Sequence, residues 1–185
     1  MNVMVLDAEF NQPSRKCIQI GAAIYDARSA DLIARFETYV DPGEMIEPFI
    51  TTLTGITDRD VYGAPMIKDA YLMLKEFHAK HKCFRNPLVW GSGVRNDSSS
   101  IYEQTGLTED NFMGFRVLDV KTIYQSMAIF ENSQYAGGLK DICKKLGVEW
   151  EGQAHTALAD AMMTFKVWYK LMRIMHDGKK MQKKS

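Results

Sequence analysis

Apolar and polar positions along the first forty residues follow the two-residue period of strands. Residues 3–6 are apolar and rich in β-branched or flexible side chains, and the run ends abruptly in Asp7 and Glu9, as a buried strand does when it delivers charge at its tip. A polar turn around Pro13 separates it from a second apolar run at 17–25. Another turn at 26–30 leads to a third strand, 31–40, with Leu32, Ala34, Phe36 and Thr38 on one face. Two short connections in succession predict an antiparallel meander of three neighbouring strands.

Beyond Pro42 and Gly43 the period changes to that of helices. A short helix is expected over 47–53, stopped at Thr54-Gly55. Pro65 opens a longer one, whose Ile67, Ala70, Tyr71, Leu74 and Phe77 form one apolar face. Residues 87–91 read as a short buried strand with a polar loop, 91–96, leaving it. Asp97 heads a helix that stops at Gly106, in the position of an N-cap and also just past a strand end, where open α/β sheets place their sites. A strand at 116–118 precedes Asp119, read as the cap of a helix carrying Val120, Ile123, Tyr124 and Met127. After a polar connection at 131–138 comes a short helix bounded by Leu139 and Gly147. The last element is a long helix entered through 153–156 and ending near His176, with 179–185 a basic, frayed tail. The pattern as a whole predicts an α/β fold, a mixed sheet led by three antiparallel strands and flanked by helices.

Composition adds bounds rather than a function. Of the residues, 46% are hydrophobic and 25% charged, ordinary for one globular domain, and 23 basic residues balance 23 acidic ones. Net charge therefore singles out no partner. Cys17, Cys83 and Cys143 are odd in number and widely spaced, which argues against a disulfide framework or a zinc cluster and points to the cytoplasm. No stretch reaches the roughly 18 apolar residues of a membrane span, so no membrane is expected.

The chemistry lies in four acids that do not fit their surroundings. Asp7 and Glu9, two apart on a strand, share a face and repel one another unless a cation or a proton intervenes. Asp160 sits among Ala157, Ala159 and Ala161, too far inside its helix to cap it, so it needs a partner. Positions five apart on a helix diverge by about 140°, so His155 belongs to the lead-in loop, free to swing over whatever Asp160 holds. Phe10, directly after the acids, suits either a stacking role against a base or a place in the core. Gly55 reads chiefly as a helix terminus, and its missing side chain would also let a ligand come close.

Taken together, Leu6-Asp7-Ala8-Glu9-Phe10, Ile18-Gln19-Ile20-Gly21-Ala22, Leu53-Thr54-Gly55-Ile56-Thr57, Asp97 and His155-Thr156-Ala157-Leu158-Ala159-Asp160-Ala161 resemble the DEDDh 3′-to-5′ exonucleases of the ribonuclease-H-like superfamily, in the family's order and over nearly the whole chain. One segment departs from the common pattern: residues 90–97 lack the His-Asn-x-x-Phe-Asp surroundings of the second aspartate, although Asp97 keeps its place between a strand and a helix.

The resemblance implies a ribonuclease H-like exonuclease domain over 1–178. It also implies that Asp7, Glu9, Asp97 and Asp160 hold two divalent ions, Mg²⁺ or Mn²⁺, the hard ions that carboxylate oxygens suit. By the same likeness Asp7 would bridge both ions, Glu9 and Asp160 would complete the first, and Asp97 would hold the second. His155 would be the general base, Phe10, Thr54 and Gly55 would contact substrate, and the partner would be the 3′ end of a single-stranded nucleic acid, DNA or RNA. A binding module of the same fold without turnover, and a phosphoesterase for very short oligonucleotides, are the alternatives. Four acids and a histidine kept together argue for turnover.

Overall fold

The structure is a computed structural model that describes residues 1–91, 96–109, 111–133 and 136–182. Strand β1 (Asn2–Phe10) runs up the middle of a five-stranded sheet, with β2 (Cys17–Asp26), β3 (Leu32–Tyr39), β4 (Leu88–Val89) and β5 (Leu118–Asp119) in the spatial order β3-β2-β1-β4-β5. The first three form the expected meander: β1 pairs antiparallel with β2, and β2 with β3. The other two add in parallel, β4 through Val5 with Leu88 and β5 through Leu88 with Leu118 and Val89 with Asp119. Parallel neighbours require crossovers, and helices supply them. These are α1 (Pro48–Thr54), α2 (Asp58–Val61) and α3 (Ile67–Lys80) before β4, and α4 (Asp97–Gln104) before β5. The chain closes with α5 (Val120–Phe130), α6 (Leu139–Leu146) and α7 (Ala157–Gln182).

Strand β2 is buried almost end to end because helices cover both faces of the sheet there, whereas edge strand β3 alternates between exposed and half-buried positions. The two cores divide along the pleat of β1. Val3 and Val5 face α5, α6 and α7 together with Ala23, Tyr25, Val120, Ile142 and Phe165. Met4, Leu6 and Ala8 face α3 and α4 with Ile20, Ala22, Tyr71, Leu74 and Ile101. Asp7 and Glu9 therefore belong to the α7 side by the same alternation. A third, small cluster of Ile18, Ile46, Ile50, Ile56 and Val61 seats α1 and α2 on β2.

Several expectations shift in detail. Helix α7 runs to Gln182 rather than ending near His176, and residues 183–185 lie outside the described ones. Asp97 is not the cap of α4: Asn96 is, its side chain accepting the Ser99 N–H at 2.9 Å, which leaves Asp97 in the first turn with its carboxylate free for other work. Asp119 does cap α5, accepting from the Lys121 and Thr122 N–H groups at 2.9 and 3.3 Å. The short α2 has no apolar period to announce it, since one turn of helix cannot display one. Residues 92–95 of the loop before α4, and residues 134 and 135 of the connection before α6, lie outside the described residues. Among the described residues no helix is long and apolar enough to cross a membrane.

Candidate active site

Strand β1 ends in a bulge between Glu9 and Phe10, so the last regular stretch of the central strand presents Asp7 and Glu9 side by side. Opposite Asp7 in the register stands Gly21, and opposite Glu9 stands Gln19. These two β2 residues seat the start of α7. A Cβ on Gly21 would lie 2.1 Å from the Leu158 nitrogen and 2.3 Å from the Ala157 carbonyl carbon, so only glycine lets the helix backbone come this close. The buried Gln19 side chain then accepts the Ala157 N–H at 3.0 Å and donates to Glu37 at 3.2 Å. It satisfies one of the amides that a helix start leaves unpaired.

One turn into α7, this seating delivers Asp160 to the strand tip. Asp7, Glu9 and Asp160 each offer a carboxylate oxygen within 4.8 Å of the others. Asp97 comes in from α4 beside the Ala8 backbone N–H, and it stands outside that trio. Its charge nevertheless adds to those of Glu9 and Asp160 in raising Asp7. Asp7 thus has two acids within ligand distance and feels the charge of a third.

Burial and mutual repulsion show in the acidities. Burial, with Asp97, Glu9 and Asp160 around it, holds the Asp7 carboxyl well above the usual carboxylate range. Glu9 is pushed up to about 7 by burial first, then by Asp160 and Asp97. Burial raises Asp97 to about 6 against the Ala8 hydrogen bond and the positive charge of Arg15, and it raises Asp160 against His155. Such a cluster is short of positive charge. Its donors are all hard oxygens, with no thiol or imidazole among the trio, and so it fits a divalent ion of the Mg²⁺ type.

His155 lies in the turn before α7, exposed, with φ at 62°, and its backbone N–H donates to Asp160 at 3.3 Å. The loop is therefore tied to the acid while the imidazole projects into solvent. Phe10 is half-buried on the α3–α4 core, and the guanidinium of Arg15 lies over its ring, 5.8 Å from the centroid. Thr54 ends α1. Its hydroxyl is buried and spent inside the turn, donating to the Ile50 carbonyl at 2.8 Å and accepting the Ile56 N–H at 3.1 Å. Gly55, with φ at 80°, terminates α1 by donating to the Thr51 carbonyl, and it faces Gln153 of the loop that carries His155.

The sequence reading assigned no role to Gln19, Gly21 or Arg15. A lone amide and a lone glycine inside an otherwise apolar strand were the available signals for the first two. An exposed arginine in a polar turn carries none.

The family model described as Exonuclease (RNase_T) matches residues 4–168. The DNA polymerase III subunit epsilon of Aquifex aeolicus is 30% identical over 141 residues, covering 75% of this chain and 63% of that protein. The chain also matches PolC-type DNA polymerase III of Bacillus cereus at 24% identity, where it spans only 10% of the relative's length. Among solved structures, the nuclease domain of 3′hExo, a DEDDh family member bound to rAMP, superposes with a TM-score of 0.79 at 16% identity over 93% of this chain and 92% of that one. Pop2p of S. pombe, in its Mg²⁺- and Mn²⁺-bound form, gives 0.71 at 18% identity over 95% and 84%. The family model's match from Met4 to Trp168 spans most of the chain, over a sheet of the same fold and a cluster of acids beside a histidine loop, and so this chain belongs to the exonuclease family.

Proposed function

We propose that this chain removes nucleotides one at a time from the 3′ end of single-stranded DNA or RNA, releasing nucleoside 5′-monophosphates, with two divalent ions, Mg²⁺ or Mn²⁺, held by Asp7, Glu9, Asp97 and Asp160. The observation that carries this reading is the meeting of Asp7, Glu9 and Asp160 carboxylates within 4.8 Å of one another, with the charge of Asp97 also bearing on Asp7. Bound there, such ions supply charge stabilisation at the attacking and leaving oxygens of a phosphodiester.

The chain's own residues do the rest. Gln19 and Gly21 fix the start of α7, so that Asp160 meets Asp7 and Glu9 without having to reorganise during reaction. His155, on its tethered loop, takes the proton from the attacking water as general base. Phe10 offers the 3′-terminal base an aromatic face beside the scissile bond. Thr54 and Gly55, at the end of α1 where Gly55 faces Gln153 of the His155 loop, contact the bound strand.

Cleavage of 5′-labelled single-stranded DNA and RNA tests this, with Mg²⁺, Mn²⁺ or chelator and with Asp7→Ala beside the native chain. The expected result is a ladder that shortens from the 3′ end and is abolished by chelator and by the substitution, the faster polymer showing which sugar is preferred. No product on either polymer while metal still binds would sink the reading.

A further inference from the structure

We infer that Arg15 is a phosphate-binding residue of this site, gripping the backbone phosphate next to the scissile one in the bound strand. The inference rests on the exonuclease reading above and adds a residue that reading leaves idle. The turn joining β1 to β2, residues 11–16, is exposed for most of its length yet held firmly. Asn11 is buried at its base, accepting the Glu47 N–H at 2.9 Å and donating to Glu44 and the Met45 carbonyl at 2.8 and 2.9 Å. The Arg15 N–H donates to the Asn11 carbonyl at 3.0 Å, and the Arg15 carbonyl accepts from Gln104 at 3.0 Å. Gln104 also accepts the Cys17 N–H at 2.9 Å, which locks the turn to α4, the helix of Asp97.

The turn's two cations are treated differently. Lys16 is neutralised, 3.1 Å from Glu44 and donating to the Pro42 carbonyl at 2.9 Å. Arg15 has no ion pair among the described residues. Its backbone is held at φ 60°, a left-handed conformation uncommon for a side chain of this size, and that aims the guanidinium over the Phe10 ring, one residue beyond Glu9. Its charge reaches Asp97, where it opposes the effect of burial. A fixed, unneutralised guanidinium beside a site that must accept a polyanion matches the forked geometry with which arginine takes phosphate oxygens. The scissile phosphate belongs among the carboxylates and their ions. A cation set past Phe10 therefore meets the next phosphate along the strand.

The test is equilibrium binding of a 5′-fluorescein ten-residue single strand, read by anisotropy in Ca²⁺ so that the strand is not consumed. Arg15→Met should raise Kd about 10- to 30-fold at low salt and flatten the dependence of log Kd on log salt by about 0.7. Arg15→Lys should recover part of the loss. A neutral methylphosphonate at the linkage next to the 3′-terminal one should weaken the native chain by the same factor and Arg15→Met no further. Binding of Arg15→Met within twofold of native, or losses that multiply when the two changes are combined, overturns the inference. Because the readout is binding, a chain that binds in this pattern but yields no 3′ ladder defeats the exonuclease reading alone. A ladder with no Arg15 effect on binding defeats this inference alone.

Discussion

His155 occupies a left-handed backbone conformation uncommon outside glycine, though histidine adopts it more readily than most side chains. With φ at 62° its N–H reaches Asp160 and its ring points to solvent, so one residue joins the acid cluster to the approach of water. Testing its role calls for a replacement that tolerates the same backbone. Asparagine visits left-handed φ more readily than most residues and retains the N–H. His155→Asn should lower kcat about 10²- to 10⁴-fold, the usual worth of a general base, with divalent-ion affinity within a few-fold of native. A kcat within threefold of native would remove His155 from the proton transfer.

At the scale of elements, the site is made where α7 meets β2. Gly21 permits the contact, Gln19 caps it, and Asp160 profits one turn later. The atoms that would meet a Cβ at Gly21 are helix backbone and cannot rotate away, so the clash is relieved only by moving the helix. Gly21→Ala should cost about 3 kcal/mol or more in urea unfolding. The protein that still folds should lose kcat out of proportion to any change in KM, because the displaced helix carries Asp160 and the His155 loop with it. Native stability and native kcat in this variant would show that the helix does not sit on the strand in this way.

For the molecule as a whole, four raised acidities set how stability responds to pH. A carboxyl that holds its proton more tightly folded than unfolded leaves the folded state unpenalised at low pH. It then costs stability as pH climbs from its ordinary value through its raised one. For Glu9 that window runs from 4.5 to about 7, and for Asp97 from 3.8 to about 6. Glu9 alone accounts for about 3 kcal/mol lost above neutrality in metal-free protein. The exposed acids Asp26, Glu44, Asp60 and Glu151 are held below their ordinary values, so they titrate mostly beneath this window. His78, lowered by burial, acts in the opposite sense within it, but equally with and without metal. The rise in Tm on adding saturating Mg²⁺ or Mn²⁺ should therefore be larger at pH 8 than at pH 5.5, as a binder of the folded, ionised site requires. An increment that shrinks between pH 5.5 and 8 would contradict the site as described.

The sequence by itself determined the strand meander, the order of the elements apart from α2, the four acids out of keeping with their surroundings and the loop place of His155, because these are properties of local period and of charge in apolar surroundings. Asp7 and Glu9 share a face by strand geometry alone, and Asp160 betrays itself as an acid among alanines. Tertiary structure decided the rest, because it depends on approach between segments far apart in the chain. That Asn96 and not Asp97 caps α4 turns on which side chain reaches the Ser99 N–H. That the Thr54 hydroxyl is unavailable follows from its two partners within the turn. Gln19 and Ala157 are 138 residues apart, and Gln104 and Arg15 are 89 apart, so no local pattern foretells either hydrogen bond. The acids were legible because isolated charge is costly wherever it is buried, whereas the residues that aim them are ordinary until the fold brings them together.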